Sequence, residues 1–159
     1  AWPVFGVNAF VVLVDLYYLK QMSRKSDFFT LMPAEQQSAF FRKFFLFHKE
    51  DIAKFFPEVL PEQLGETRGY FILRNMLPVG VFLFRVQDEK SVEIVVDYVI
   101  PEYRDQKNSE YVFHILNESL SVEGFSEFVI RSGVAAHRKY LVEAGFQQSQ
   151  DGVFTKRII

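Results

Sequence analysis

Three kinds of spacing alternate along the chain. From Trp2 to Leu19 nearly every position is apolar, with Asn8 and Asp15 the strongly polar exceptions. From Pro33 to Phe56 the period becomes helical: Phe44, Phe45, His48 and Ile52 follow Phe41 at three, four, seven and eleven residues, one helix face. Pro33 suits a first helical turn, Pro57 a stop, and Lys49-Glu50-Asp51 a break into two helices. A short apolar run before it, Asp27 to Met32, predicts an edge strand. Then the period becomes two. Tyr70–Met76, Val79–Gln87 and Val92–Val99 predict three strands, turning at Leu77-Pro78 and at Asp88-Glu89-Lys90, an antiparallel meander.

Helical spacing returns at Val112, Ile115, Leu116 and Leu120, in a helix beginning near Asn108 and ended by Gly124. Phe125–Arg131 predicts a strand, Ala135–Ala144 a short helix closed by Gly145, and Phe146–Ser149 with Val153–Ile158 a final hairpin. The elements run β-α-α-β-β-β-α-β-α-β-β. That is an α/β (α+β) chain with a mixed, mostly antiparallel sheet flanked by helices.

Composition narrows the class. With 49% hydrophobic and 24% charged residues the chain is globular rather than disordered. A net charge of −2 without a basic face points away from nucleic acid. The absence of cysteine excludes disulfides, thiol nucleophiles and cysteine metal sites. His48, His114 and His137 lie too far apart for a metal-ligand spacing. His48 and His114 read as partly buried core residues, and His137, followed by Arg138 and Lys139, as exposed.

Residues 1–25 read as a unit apart from a domain over 26–159. The run from Trp2 to Leu19 approaches the roughly 20 residues that span a bilayer. Lys20, Arg24 and Lys25 follow it, and Trp2, Tyr17 and Tyr18 sit near its ends. This predicts a membrane anchor remnant holding a cytoplasmic domain at the membrane face. Asp15 counts against lipid contact. A buried core helix, a strand from Phe10 to Leu16, or pairing with a second copy in a homodimer are the alternatives.

The stretch from Val92 to Leu116 carries the most chemistry. A strand ends at Pro101, a polar loop follows, and a helix begins. A helix N-terminus offers unpaired N–H groups and a positive dipole end to an anion, and Arg104 and Lys107 add charge. Here the sequence resembles the GNAT superfamily of acyl-coenzyme A N-acyltransferases. Val99-Ile100-Pro101-Glu102-Tyr103-Arg104 is similar to its V-x-P-E-Y-R signature. Arg104 matches the first position of its R-x-x-G-x-G/A loop, with Lys107 and Ser109 at the glycine positions. Arg138 to Phe146 resembles the family's helix ending in L-Y-E-x-x-G-F.

The resemblance implies an acyl-coenzyme A co-substrate, acetyl-CoA or another acyl-CoA, held by the backbone at Tyr98, Val99 and Ile100 and by Arg104, Asp105, Gln106, Lys107, Asn108 and Ser109. It implies acyl transfer to a small-molecule or peptide amine by direct attack. Alternation puts Glu93 and Asp97 on one strand face as candidate bases. The family's acid is a tyrosine at a position that Leu141 occupies here; Tyr140, one residue earlier, is the candidate. Val134 stands where the family often has asparagine. The substitutions at Lys107, Ser109 and Leu141 leave open a second reading, a weak or inactive binding or sensor module of the same fold. The Phe40-Phe41 and Phe44-Phe45 stripe reads as core or as acceptor-cavity lining.

Overall fold

The computed structural model describes the backbone of residues 2–23, 27–104 and 106–159, and the side chains of residues 7–20, 27–104 and 110–159. In chain order the elements are α1 (Trp2–Ser23), β1 (Phe29–Pro33), α2 (Ala39–Ile52), β2 (Arg68–Arg74), β3 (Leu77–Val86), β4 (Ser91–Val99), α3 (Gln106–Val122), β5 (Glu127–Arg131), α4 (Ala135–Glu143), β6 (Gln147–Gln150) and β7 (Val153–Arg157). The seven strands form one sheet in the order β1-β2-β3-β4-β5-β7-β6, with β4–β5 its parallel pair.

Two expected helices between β1 and β2 become one. Ser38, in extended backbone, accepts a hydrogen bond from Phe41 N, so α2 starts at Ala39 and not at a Pro33 turn. Pro33 instead closes β1, an edge strand, where a missing N–H is tolerated. The helix runs through Lys49-Glu50-Asp51 because Ile52, buried at its last turn, stays on the apolar face. A single 3-10 turn at Pro61–Gln63 follows. Phe41 and Phe44 pack their rings on Phe71 of β2 at 6.1 and 5.4 Å. The β2–β3 turn uses Asn75 and Met76, both at positive φ, rather than Leu77-Pro78.

The pairing of β3 with β4 contains the feature that shapes the site. Leu83 pairs with Val96 and Phe84 with Ile94, so Val95 has no partner and forms a bulge. Asp97 opposite Phe82 and Ile94 opposite Phe84 therefore share a face, which α3 covers through Phe113, 6.1 Å from Phe82. Glu93, opposite Arg85, falls on the other face. The expected common face of Glu93 and Asp97 is thus corrected: strict alternation assumes an unbroken ladder, and one extra residue reverses every side chain beyond it.

The β4–β5 ladder stops early. It joins Ser91–Ile94 to Glu127–Ile130 and ends where the bulge begins. On its other side β4 stays paired with β3 through Val99, and Ile100 N donates to Val79 O at 2.8 Å. The sheet opens between the C-terminal half of β4 and β5, three residues after the last parallel pair at Asp97. Pro101 lies further on, so the bulge and not the proline starts the opening.

Helix α1 forms as the apolar run predicts. Of its described side chains, Val14 is half-buried and the others are exposed, Phe10 by 67% and Tyr17 by 63%. The buried core runs from Ala34 to Ile158 and includes none of the described side chains of α1. Among the described residues no helix is long and apolar enough to cross a membrane.

Candidate active site

The opening in the sheet leads into a cavity of about 620 Å³ between β4, α3 and α4. Its walls include Asp97, Tyr98, Val99 and Arg104 from the strand and loop, and Tyr140 from α4. Helix α4 ends at Gly145, whose φ of 86° reverses the chain so that Phe146 N reaches Leu141 O at 2.9 Å. That fixes Leu141 in the core and turns Tyr140, one residue away, toward the strand.

Tyr140 donates its hydroxyl proton to Asp97 Oδ2 at 3.1 Å. Two candidates separated by 43 residues thereby form one acid–base pair. Burial of the Asp97 carboxyl pushes its pKa up to about 6, and the hydrogen bond from Tyr140 opposes the rise. A carboxylate poised there is ionised at neutral pH and basic enough to accept a proton.

Backbone groups complete the arrangement. In an antiparallel ladder successive residues direct their N–H groups to opposite sides. Ile100 N points to β3, so Val99 and Asp97 direct theirs toward the opening, where no strand pairs with them. Tyr98 and Ile100 face β3 with their backbones. The N–H of Val99 is placed to polarise a carbonyl bound in the cavity.

Arg104 lies in the cavity wall but is turned back onto the protein. Its Nε donates to Val99 O at 2.7 Å and its Nη2 to Asp51 of α2. The guanidinium stands over the rings of Phe55 and Tyr98 at 5.1 and 5.5 Å. Tyr98 in turn meets His48 Nδ1 at 3.2 Å, so the loop, β4 and α2 are tied together. Of the other candidate loop residues, Asp105 lies outside the described residues, as do the side chains of Gln106, Lys107, Asn108 and Ser109. Helix α3 begins at Gln106, two residues before the expected start.

Glu93 stands apart from this pair. Arg85 and Arg131 hold it at 3.3 and 3.2 Å. It borders a second cavity, of about 720 Å³, with the segment from Phe55 to Leu64 and with Arg138. Phe55 lines both cavities.

Two cavity residues escape the sequence pattern. His137, expected to be exposed, is 2% exposed. It stacks on Tyr140 at 6.2 Å and meets Phe56 edge-on at 4.7 Å. Neither ring nitrogen has a hydrogen-bond partner, and burial pushes its pKa down to about 4. The flanking Arg138 and Lys139 mask this, because a helix exposes neighbours of a buried residue. Lys156 of β7 lines the cavity as well. Its place two residues after the buried Phe154, on the same face of the final strand, was the available signal.

No family model matches the chain, and no curated protein matches it. Solved structures do. An acetyl transferase from Salmonella typhimurium, which modifies the N-terminal serine of a 50S ribosomal protein, superposes with a TM-score of 0.63 at 14% identity over 82% of this chain and 95% of that one. A GNAT family acetyltransferase from Elizabethkingia anophelis with acetyl-CoA bound gives 0.57 at 13% identity, over 81% and 97%. Spermidine N-acetyltransferase from Vibrio cholerae, in complex with CoA and spermine, gives 0.58 at 14%, over 81% and 92%. At such identities the likeness speaks for architecture, and with this strand order and the opening beside β4, the chain has the fold of the GNAT acyl-coenzyme A N-acyltransferases.

Proposed function

We propose that this domain transfers an acyl group, acetyl in the simplest case, from acyl-coenzyme A to an amine by direct attack. The observation that carries the reading is the Tyr140–Asp97 hydrogen bond at the mouth of the sheet opening. Three relatives in fold act on amines or hold acetyl-CoA or CoA, which supports the same co-substrate class here.

The steps balance on these residues. Val99 N–H polarises the thioester carbonyl. The ammonium of the acceptor gives a first proton to solvent by way of Asp97, the free amine attacks the carbonyl carbon, and Asp97 takes the second proton from the nitrogen of the tetrahedral intermediate. A C–N bond forms and the C–S bond breaks. Tyr140 gives its phenolic proton to the departing thiolate. Asp97, now protonated, returns a proton to Tyr140 along the bond that already joins them. The pair is restored; of the two protons the acceptor nitrogen loses, one ends on coenzyme A and the other in solvent. Residues Gln106 to Ser109, at the start of α3, are proposed to meet the cofactor's pyrophosphate with backbone N–H groups.

A second reading has a specific observation behind it. Arg104 is engaged by Asp51 and Val99 O, and so does not stand free beside the α3 N-terminus. That arrangement favours a domain that holds coenzyme A weakly or only senses it. A thiol-release assay with acetyl-CoA and a panel of amines separates the two. Release that depends on the amine, and that falls in Asp97→Asn and Tyr140→Phe, supports the enzyme. Coenzyme A binding without release supports the sensor, and no binding refutes both.

A further inference from the structure

The cavity holds a cation that the transfer chemistry does not use. Lys156 Nζ lies 4.6 Å from the centre of the Phe113 ring and 5.7 Å from that of Phe146. It donates to Ala144 O, the cap of α4, at 2.8 Å. Glu110 and Glu143 line the same cavity, yet among the described residues no carboxylate stands within ion-pair distance of Lys156. The side chain is half-buried. A carbonyl dipole and two aromatic faces orient the ammonium but leave its charge uncompensated, and two of its three N–H groups remain to be used. The loss of water around it lowers its pKa from the ordinary lysine value.

Arg104, the cation expected from the motif, is already occupied by Asp51. We propose that Lys156 is the anion-recognition residue of this cavity, pairing with an anionic oxygen of the bound acyl thioester. That oxygen belongs either to a phosphate of coenzyme A or to a carboxylate on the acyl chain. The inference rests on the cavity being the acyl-coenzyme A site. A lysine that merely caps α4 would contribute to stability and leave ligand affinity alone.

The test measures binding of three probes by calorimetry: acetyl-CoA, succinyl-CoA and S-acetyl-pantetheine, which carries no phosphate. The proteins are wild type, Lys156→Met and Lys156→Arg, each with its thermal midpoint. Lys156→Met is expected to weaken the anionic probe at least about tenfold, with Lys156→Arg restoring most of the loss. Loss for both coenzyme A thioesters and none for the pantetheine assigns the phosphate. Loss for succinyl-CoA alone assigns the acyl carboxylate. Equal loss for all three probes, or none, overturns the proposal while leaving the cavity's assignment standing. Wild type that binds no probe refutes the assignment itself. Should Lys156→Met not fold, amine labelling of wild type followed by mass spectrometry decides: protection of Lys156 by acetyl-CoA or succinyl-CoA but not by S-acetyl-pantetheine supports the proposal, and reactivity unchanged by every probe overturns it.

Discussion

Replacing Tyr140 by Phe removes one hydroxyl and tests the proton relay at its joint. The ring has room to stay, since it stacks on His137. What goes is the hydrogen bond to Asp97 Oδ2. A hydrogen bond to a charged group contributes about 1.5–3 kcal/mol, and each pKa unit is about 1.4 kcal/mol. The carboxyl, already raised to about 6 by burial with the phenol holding it down, should therefore rise by roughly one to two further units. Two readouts follow. Carbon NMR of the Asp97 carboxyl shows the shift without any substrate. The pH profile of kcat/KM, whose acid limb reports ionisation of the base, should move up by the same amount. At high pH the variant stays slower, because losing a general acid costs about 10²–10⁴-fold. Asp97→Asn should abolish the acid limb, and the double variant should be little slower than the worse single one, since both break one relay. An unmoved Asp97 titration in Tyr140→Phe would refute the coupling, and fully additive rate losses would refute the relay.

Three other expectations bear on the fold. Met76 occupies a type I′ turn position at φ 66° and is exposed, so Met76→Gly should raise stability by about 0.5–1 kcal/mol, read as a higher denaturant midpoint. His137, with a folded pKa of about 4, takes up its proton more readily when unfolded, so its contribution to stability falls as pH drops from about 6.5 toward 4. Asp97, raised in the folded state, works in the opposite sense over the same window, so the comparison is between wild type and His137→Phe: the variant should escape a loss of up to roughly 3 kcal/mol, and matching pH profiles would contradict it. Deleting residues 1–22 should leave the thermal midpoint unchanged, because none of the described side chains of α1 enters the buried core; a large drop would place the helix in the fold.

Much of the architecture is legible from spacing alone. A strand's period of two and a helix's of 3.6 are local consequences of backbone geometry, so β2 to β5, α2 and α3 can be drawn from the order of apolar residues. Gly124 and Gly145 mark helix ends because a positive φ suits glycine, and both adopt one. The chemical types needed for the site, Asp97 and Tyr140, are likewise visible in the chain. Their meeting is not. Whether Tyr140 or Leu141 faces the strand depends on how α4 docks, which the Gly145 turn and the Leu141 contact with the core decide. Glu93 loses its place beside Asp97 because a bulge exists only in relation to a partner strand, and no residue type at Val95 announces it. His137 is buried by Phe55 and Phe56, residues distant in sequence, beside Tyr140 on its own helix, although Arg138 and Lys139, which follow it, are charged. Arg104 turns to Asp51, 53 residues earlier, and Lys156 is left as a cation without a carboxylate partner in the cavity wall. Local periodicity therefore determines which elements form, while burial, register and ion pairing are properties of pairs of segments and arise only when the chain has closed on itself.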